Sequence, residues 1–246
     1  MALIDNLVAY YSLDEASGDA IDAHSTNDLT ETGGTIAATT GIISGARDLE
    51  AGDAEYFLGA DSAALSTGDI DFTISAWCNL ESLANGVIVG KWETGGLREC
   101  LLFYNHNDHV TNARFTFGVS SNGTLNTLLD ATTFGAPSTG TWYHVVGRHD
   151  SVNNILKINV NDVADSVSYS SGVFDSTAGF ALGALFVGGV QFYGFDGLLD
   201  EIGFWKRYLS DAEVTDLYNA GAGRDYAYIA SAGGNRRRRV LIGCAA

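Results

Sequence analysis

Short apolar runs with two-residue alternation recur along most of this chain, the period of strands that bury one face. The segments are NLVAYYSL, ARDLE, AEYFL, FTISAWCNL, GVIVGKW, CLLFY, RFTFGVSS, LNTLLDA, WYHVVGRHD, ILKINVN, DSVSYS, GFALGA and FDGLLDEIGFW. Turn chemistry separates several of them: SNGT at 121–124, DSVNN at 150–154 and VND at 160–162. Many strands with almost no helix predict an all-β fold, a two-sheet antiparallel jelly-roll sandwich. One helix is predicted late, at SDAEVTDLYNAG. There Ser210 and Glu213 have capping-box spacing, Val214, Leu217 and Tyr218 form an apolar stripe, and Gly221 suits the C-terminal cap. The expectation is a short helix packed on a sheet edge. No internal repeat or linker interrupts residues 1–221, which are assigned to one domain. Residues 222–246 are assigned to a connector and a basic, apolar-tipped tail, NRRRRVLIGCAA.

Composition agrees with this assignment. Hydrophobic residues make up 46%, and thirty glycines against one proline leave glycine to supply the turns. No apolar run approaches the roughly 18 residues that cross a membrane, so membrane insertion is not expected. The net charge is −17, and four of the thirteen bases are Arg236–Arg239, leaving nine bases against thirty acids in residues 1–235. Such a body repels nucleic acid, except through Arg236–Arg239, and attracts cations. Cys78, Cys100 and Cys244 are scattered and odd in number, so reduced thiols are expected. The opening MALIDNLVAYYSLDEASG has neither the basic region nor the unbroken apolar region of a signal peptide, which predicts synthesis in the cytosol.

The ordered series LVAYYSLDEASGDAIDAHSTNDLT, GIISGARDLEAGDAEYF, STGDIDFTISAWCNL, IVGKW, GTWYHVVGRHD, ILKINVND and FDGLLDEIGFWKRYLSDAEVTDLYNAG resembles the laminin G-like, concanavalin A-like jelly-roll domains over about residues 6–221. The resemblance implies two curved antiparallel sheets. It also implies a noncatalytic module that binds carbohydrate or protein, often with one calcium ion.

Adjacent acids, Asp200 and Glu201, interrupt the last apolar strand. Strand alternation sends them to opposite faces, so one needs a partner in or beside the interior. A calcium ion would satisfy it with oxygen ligands from the turn DAHSTND, where Asp22, Asn27 and Asp28 lie beside His24. The resemblance implies that such an ion joins this turn to the closing Asp-Glu pair, and the expected ligands are Asp22, Asn27 and Asp200. The alternative is that Asp200 accepts turn N–H groups while Glu201 pairs with Arg207 or Lys206.

Glucanases of the same fold align carboxylates as Glu-x-Asp-x-x-Glu, and no such motif occurs: Glu50, Asp53 and Glu55 have the wrong spacing. The five histidines, including His106 and His109 in NHNDH, form no catalytic or metalloenzyme pattern. No enzyme activity is expected. Sugars offer ring faces and hydroxyls, so the candidate ligand-binding residues are Trp92, Tyr104, Asn105, Asn107 and Tyr193, with Phe192 beside them; Trp77, Trp142 and Trp205 are assigned to the core. The resemblance and the leaderless N-terminus together suggest a phage virion protein, a capsid decoration or tail appendage contacting host-surface glycans, with residues 236–246 as a tether to the particle or to another copy. The alternatives are a purely structural assembly protein and an accessory module of a polysaccharide-degrading system.

Overall fold

In the computed structural model, residues 1–105 and 113–231 are described. The alternating segments form strands β1 (Leu7–Tyr11), β2 (Thr30–Thr32), β3 (Ala37–Thr40), β4 (Gly45–Leu49), β5 (Tyr56–Gly59) and β6 (Phe72–Leu80). Next come β7 (Gly86–Thr94), β8 (Leu97–Tyr104), β9 (Phe115–Ser120), β10 (Asn126–Asp130), β11 (Trp142–Asp150) and β12 (Ile155–Val160). The last are β13 (Val163–Ser168), β14 (Phe180–Leu182), β15 (Leu185–Val187), β16 (Val190–Phe192) and β17 (Gly197–Trp205), followed by helix α1 (Asp211–Tyr218). Strands β2, β3, β15 and β16 have no counterpart among the segments picked out by alternation.

Two sheets result. One has eight strands in the order β13, β12, β11, β6, β17, β4, β3, with β1 also paired to β17. The other has nine, in the order β10, β9, β8, β7, β14, β5, β2, with β15 added parallel to β7 and β16 antiparallel to β15. Between the sheets lies the main core, which includes Tyr11, Phe57, Phe72, Ile74, Tyr104, Phe117, Leu199, Ile202 and Phe204. This is the expected jelly-roll sandwich.

Helix α1 begins with the predicted capping box: Ser210 Oγ accepts the Glu213 N–H, and the Glu213 carboxylate accepts the Ser210 N–H at 2.9 Å. It ends earlier than the sequence suggests, because Asn219 takes the left-handed conformation (φ 48°) two residues before Gly221. The helix lies on the outer face of the eight-stranded sheet rather than at its edge. There Val214 and Leu217 join Leu3, Leu7, Tyr10, Val146, Trp205 and Ile229 in a second apolar cluster. Residues 224–229 belong to the same layer. The Tyr10 hydroxyl donates to the Arg224 carbonyl, Arg224 pairs with Asp216 at 3.0 Å, and Ile229 is buried.

Trp77 and Trp205 are buried as expected, but in this outer layer rather than between the sheets, and Trp142 is only half-buried at the start of β11. Cys78 and Cys100 are free, buried thiols, pushed up in pKa by that burial. Among the described residues no helix is long and apolar enough to cross a membrane.

Candidate functional site

The closing strand contains a bulge that the alternation argument does not anticipate. Glu201 has φ 48°, and the register against β6 slips between Asp200 and Gly203. Leu199 before the bulge and Ile202 and Phe204 after it therefore all face the main core. Asp200 and Glu201 share the slip, and both are buried. At this point β17 also changes neighbour, from β4 (Leu199 opposite Arg47) to β1 (Ile202 opposite Tyr11). The two acids thus sit at the junction of two strands.

Asp200 caps the turn joining β3 to β4. Its Oδ2 accepts the Ile43 N–H at 3.1 Å and packs so tightly on Gly41 that a Cβ there would collide with it. Burial pushes the Asp200 carboxyl up to about 8 and the Glu201 carboxyl up to about 9. Glu201 is hydrogen-bonded to the Tyr10 hydroxyl. It pairs with neither Arg207, which holds Glu213, nor Lys206, which donates to the Ala63 carbonyl.

The expected calcium ligands do not converge. Asp22 bridges to Tyr11 on the edge of β1 opposite the one paired with β17, so β1 separates it from Asp200. Asp22 is already saturated by donors: Oδ1 accepts the Tyr10 and His24 N–H groups, each at 3.0 Å, and Oδ2 accepts the Asn27 N–H at 3.1 Å and its side-chain amide at 2.9 Å. Asp28 accepts the Asp22 N–H at 2.8 Å, and His24 lies 3.2 Å from the Tyr226 hydroxyl. A turn that aims N–H groups at its central carboxylate provides the opposite of a cation's oxygen shell. Asp22, Asn27 and Asp200 therefore do not fit a shared calcium ion. A different set, Asp48, Glu50 and Glu81, brings carboxylate oxygens within 4.8 Å of one another at the surface. Burial, together with the charge of neighbouring acids that include Asp196, pushes all three carboxyls up.

Sequence reasoning also missed a serine–histidine pair. Ser75 Oγ lies 2.8 Å from His144 Nε2 on β6 and β11, but the imidazole is buried in a cluster with the Trp77 and Tyr218 rings. Burial pushes its pKa down to about 3, so it remains neutral and enclosed.

The sugar-site candidates divide. Tyr104 faces the main core and is fully buried, because β8 turns Cys100, Leu102 and Tyr104 inward; it presents no ring to a ligand. Asn105, at φ 60°, closes its turn by accepting the Ala113 N–H at 2.8 Å and donating to the Leu83 carbonyl at 3.3 Å. Asn107, His106, His109 and the 236–246 tail lie outside the described residues.

Trp92 and Tyr193, by contrast, come together on the outer face of the nine-stranded sheet. The hairpin of β15 and β16 is added to the end of β7 and turns through Gly188 and Gly189, both at positive φ. A left-handed Tyr193 (φ 51°) follows β16 and breaks the alternation, so that Phe192 and Tyr193 line the same groove with ring centroids 4.4 Å apart. Trp92, Thr94, Arg98, Asn126, Leu185 and Val187 complete its lining, around a volume of about 150 Å³. Trp92 is 3% exposed and supports the groove from beneath, whereas Phe192 is 47% exposed. Arg98 stacks on Trp92 at 5.8 Å and is oriented by the Asn126 side chain at 2.8 Å and the Thr124 carbonyl at 2.6 Å. Exposed aromatic surface beside fixed polar groups is the arrangement a saccharide ring requires. The sequence signal that could have exposed the hairpin is the GG turn between LFV and VQF.

A family model for the concanavalin A-like lectin/glucanases superfamily matches residues 50–215. Domain 4 of AbnA, an extracellular arabinanase from Geobacillus stearothermophilus in complex with arabinotriose, superposes with a TM-score of 0.64 at 25% identity, covering 86% of this chain and 97% of that one. The binding domain of Paraclostridial Mosquitocidal Protein 1 superposes at 0.66 with 16% identity, covering 89% of this chain and 53% of that one. The binding domain of botulinum neurotoxin DC in complex with SialylT superposes at 0.63 with 10% identity, covering 89% and 52%. At those identities the two toxin domains share the fold, and this chain spans about half their length. No curated protein sequence matches the chain. With two antiparallel sheets and the matching family model, the chain belongs to the laminin G-like branch of the concanavalin A-like lectin/glucanase superfamily.

Proposed function

We propose that this protein is a noncatalytic carbohydrate-binding module whose saccharide lies in the groove of Trp92, Phe192 and Tyr193. The observation that carries the reading is the half-exposed Phe192 ring beside Tyr193, with Arg98 and Asn126 hydrogen-bonded to each other in the same groove. A sugar ring packs its apolar face on such rings, while its hydroxyls reach the guanidinium and amide. The arabinanase domain, covered over nearly its whole length and determined with arabinotriose, supports the same assignment. Among the contexts raised by the sequence, an accessory module of a polysaccharide-degrading system has that relative's support. The virion setting and a stabilising calcium rest on the sequence resemblance alone.

A glycan array probed with the wild type and with Phe192→Ala tests the function. The wild type is expected to retain at least one saccharide class, and the variant to weaken on it by about tenfold. Uniform blanks for folded wild type would remove the carbohydrate-binding reading.

A further inference from the structure

The other flank of the β15–β16 hairpin carries a second, larger groove of about 530 Å³. Its floor is Leu58 with the edge-to-face pair Tyr56 and Phe186, whose ring centroids are 5.4 Å apart. Strand β2 bounds it with Thr30 and Thr32, and the hairpin side brings Gly189 and Glu93. Its volume falls within the range of small-ligand sites, and its lining combines an aromatic floor with a few polar groups.

Charge separates this groove from the first. The charged side chains lining it are Asp61 and Glu93, with no base among them. Asp61 is fixed from below: its Oδ1 accepts Lys91 Nζ at 2.9 Å and Ser66 Oγ at 3.1 Å, and the Lys91 ammonium is itself fully buried. Burial raises the Asp61 carboxyl, but Lys91 outweighs it and holds the group below the ordinary carboxylate range. Glu93 Oε1 accepts the Gly189 N–H at 2.8 Å, which ties the carboxylate to the hairpin turn. Carboxylate oxygens accept hydrogen bonds and disfavour anions, so a matching occupant supplies donors and brings no negative charge of its own. The aromatic pair calls for an apolar ring face as well.

We propose that this groove is a second saccharide site, selective for sugars without negative charge and favouring those that carry an amino group. The proposal takes its ligand class from the carbohydrate-binding reading but stands at a separate place with its own residues. Nuclear magnetic resonance of the ¹⁵N-labelled full chain tests it, with arabinotriose, a glucosamine trimer and a galacturonate trimer titrated separately. The glucosamine trimer is expected to perturb the amides of Tyr56, Leu58 and Gly189 at the lowest concentration. Arabinotriose should do so at higher concentration, and the galacturonate trimer not at all.

Glu93→Gln keeps an oxygen for the Gly189 N–H, so the hairpin turn is preserved. It should weaken the glucosamine trimer by about tenfold at these amides. Galacturonate binding there as tightly as glucosamine, or an unchanged affinity in Glu93→Gln, would overturn the proposal. If these amides stay silent while those around Phe192 respond to a sugar, the second site falls and the first stands. Silence at both grooves with all three sugars overturns the second site and leaves the first to the glycan array.

Discussion

The Tyr10 hydroxyl lies between the Glu201 carboxyl and the Arg224 carbonyl, 2.9 Å from the latter, with one proton for two acceptors. A protonated Glu201 resolves the conflict: its O–H donates to Tyr10, and Tyr10 donates on to Arg224. Burial, reinforced by the Asp200 charge, puts Glu201 at about 9, so the neutral form is the one present at neutral pH.

The consequence for stability has a definite sign. Both Asp200 and Glu201 have folded pKa values above their ordinary ones, so their contribution is full below about pH 4 and is lost as pH rises through about 8 and 9. His144, pushed down to about 3, works in the other direction, but only below about pH 7, where the unfolded imidazole titrates. Between pH 7 and 8.5 the melting temperature is therefore expected to fall. Glu201→Gln, whose amide can donate to Tyr10 at any pH, should flatten that slope. Urea unfolding at several pH values checks this, and a stability that rises over the same interval would contradict it.

Asp22 ties the first strand to its turn through four N–H donors. Removing the carboxylate leaves buried donors without acceptors, so Asp22→Ala is expected to cost about 3 kcal/mol. Since no metal enters that account, equilibrium unfolding should give the same loss in calcium and in chelator. A loss confined to calcium-containing buffer would restore a metal role to the turn.

Lys91 on β7 and Glu99 on β8 form a fully buried pair 3.0 Å apart. Glu99 also accepts from Thr67 Oγ1 at 2.8 Å and from the Ser176 N–H at 2.9 Å. Lys91→Met strands the carboxylate and is expected to destabilise by about 3–5 kcal/mol. Adding Glu99→Gln should recover part of that, and a double-mutant cycle by denaturant unfolding measures the coupling. A purely additive pair would show that the ion pair does not act as a unit.

Much of the architecture was legible because strands advertise themselves by period two: FTISAWCNL and WYHVVGRHD coincide with β6 and β11. The capping box of Ser210 and Glu213 was equally readable, since its spacing is its mechanism. What alternation could not reveal is where it slips. A left-handed Glu201 has no local signature, yet it reverses which side of β17 faces the core and places two acids at a strand junction. The expected ligands Asp22, Asn27 and Asp200 did not converge for a related reason: residue types in a turn do not say whether the backbone aims carbonyls or N–H groups inward. Half of the proposed sugar groove was visible as Trp92 and Tyr193. The hairpin that turns them into a groove has strands of three residues each, too short for a period to register.

The most direct test of the central claim is a crystal structure of the protein with arabinotriose, the sugar held by its arabinanase relative. The account predicts a sugar ring against Phe192 and Tyr193, with hydroxyls within hydrogen-bond reach of Arg98 and Asn126. A sugar bound elsewhere, with both hairpin grooves empty, would contradict it.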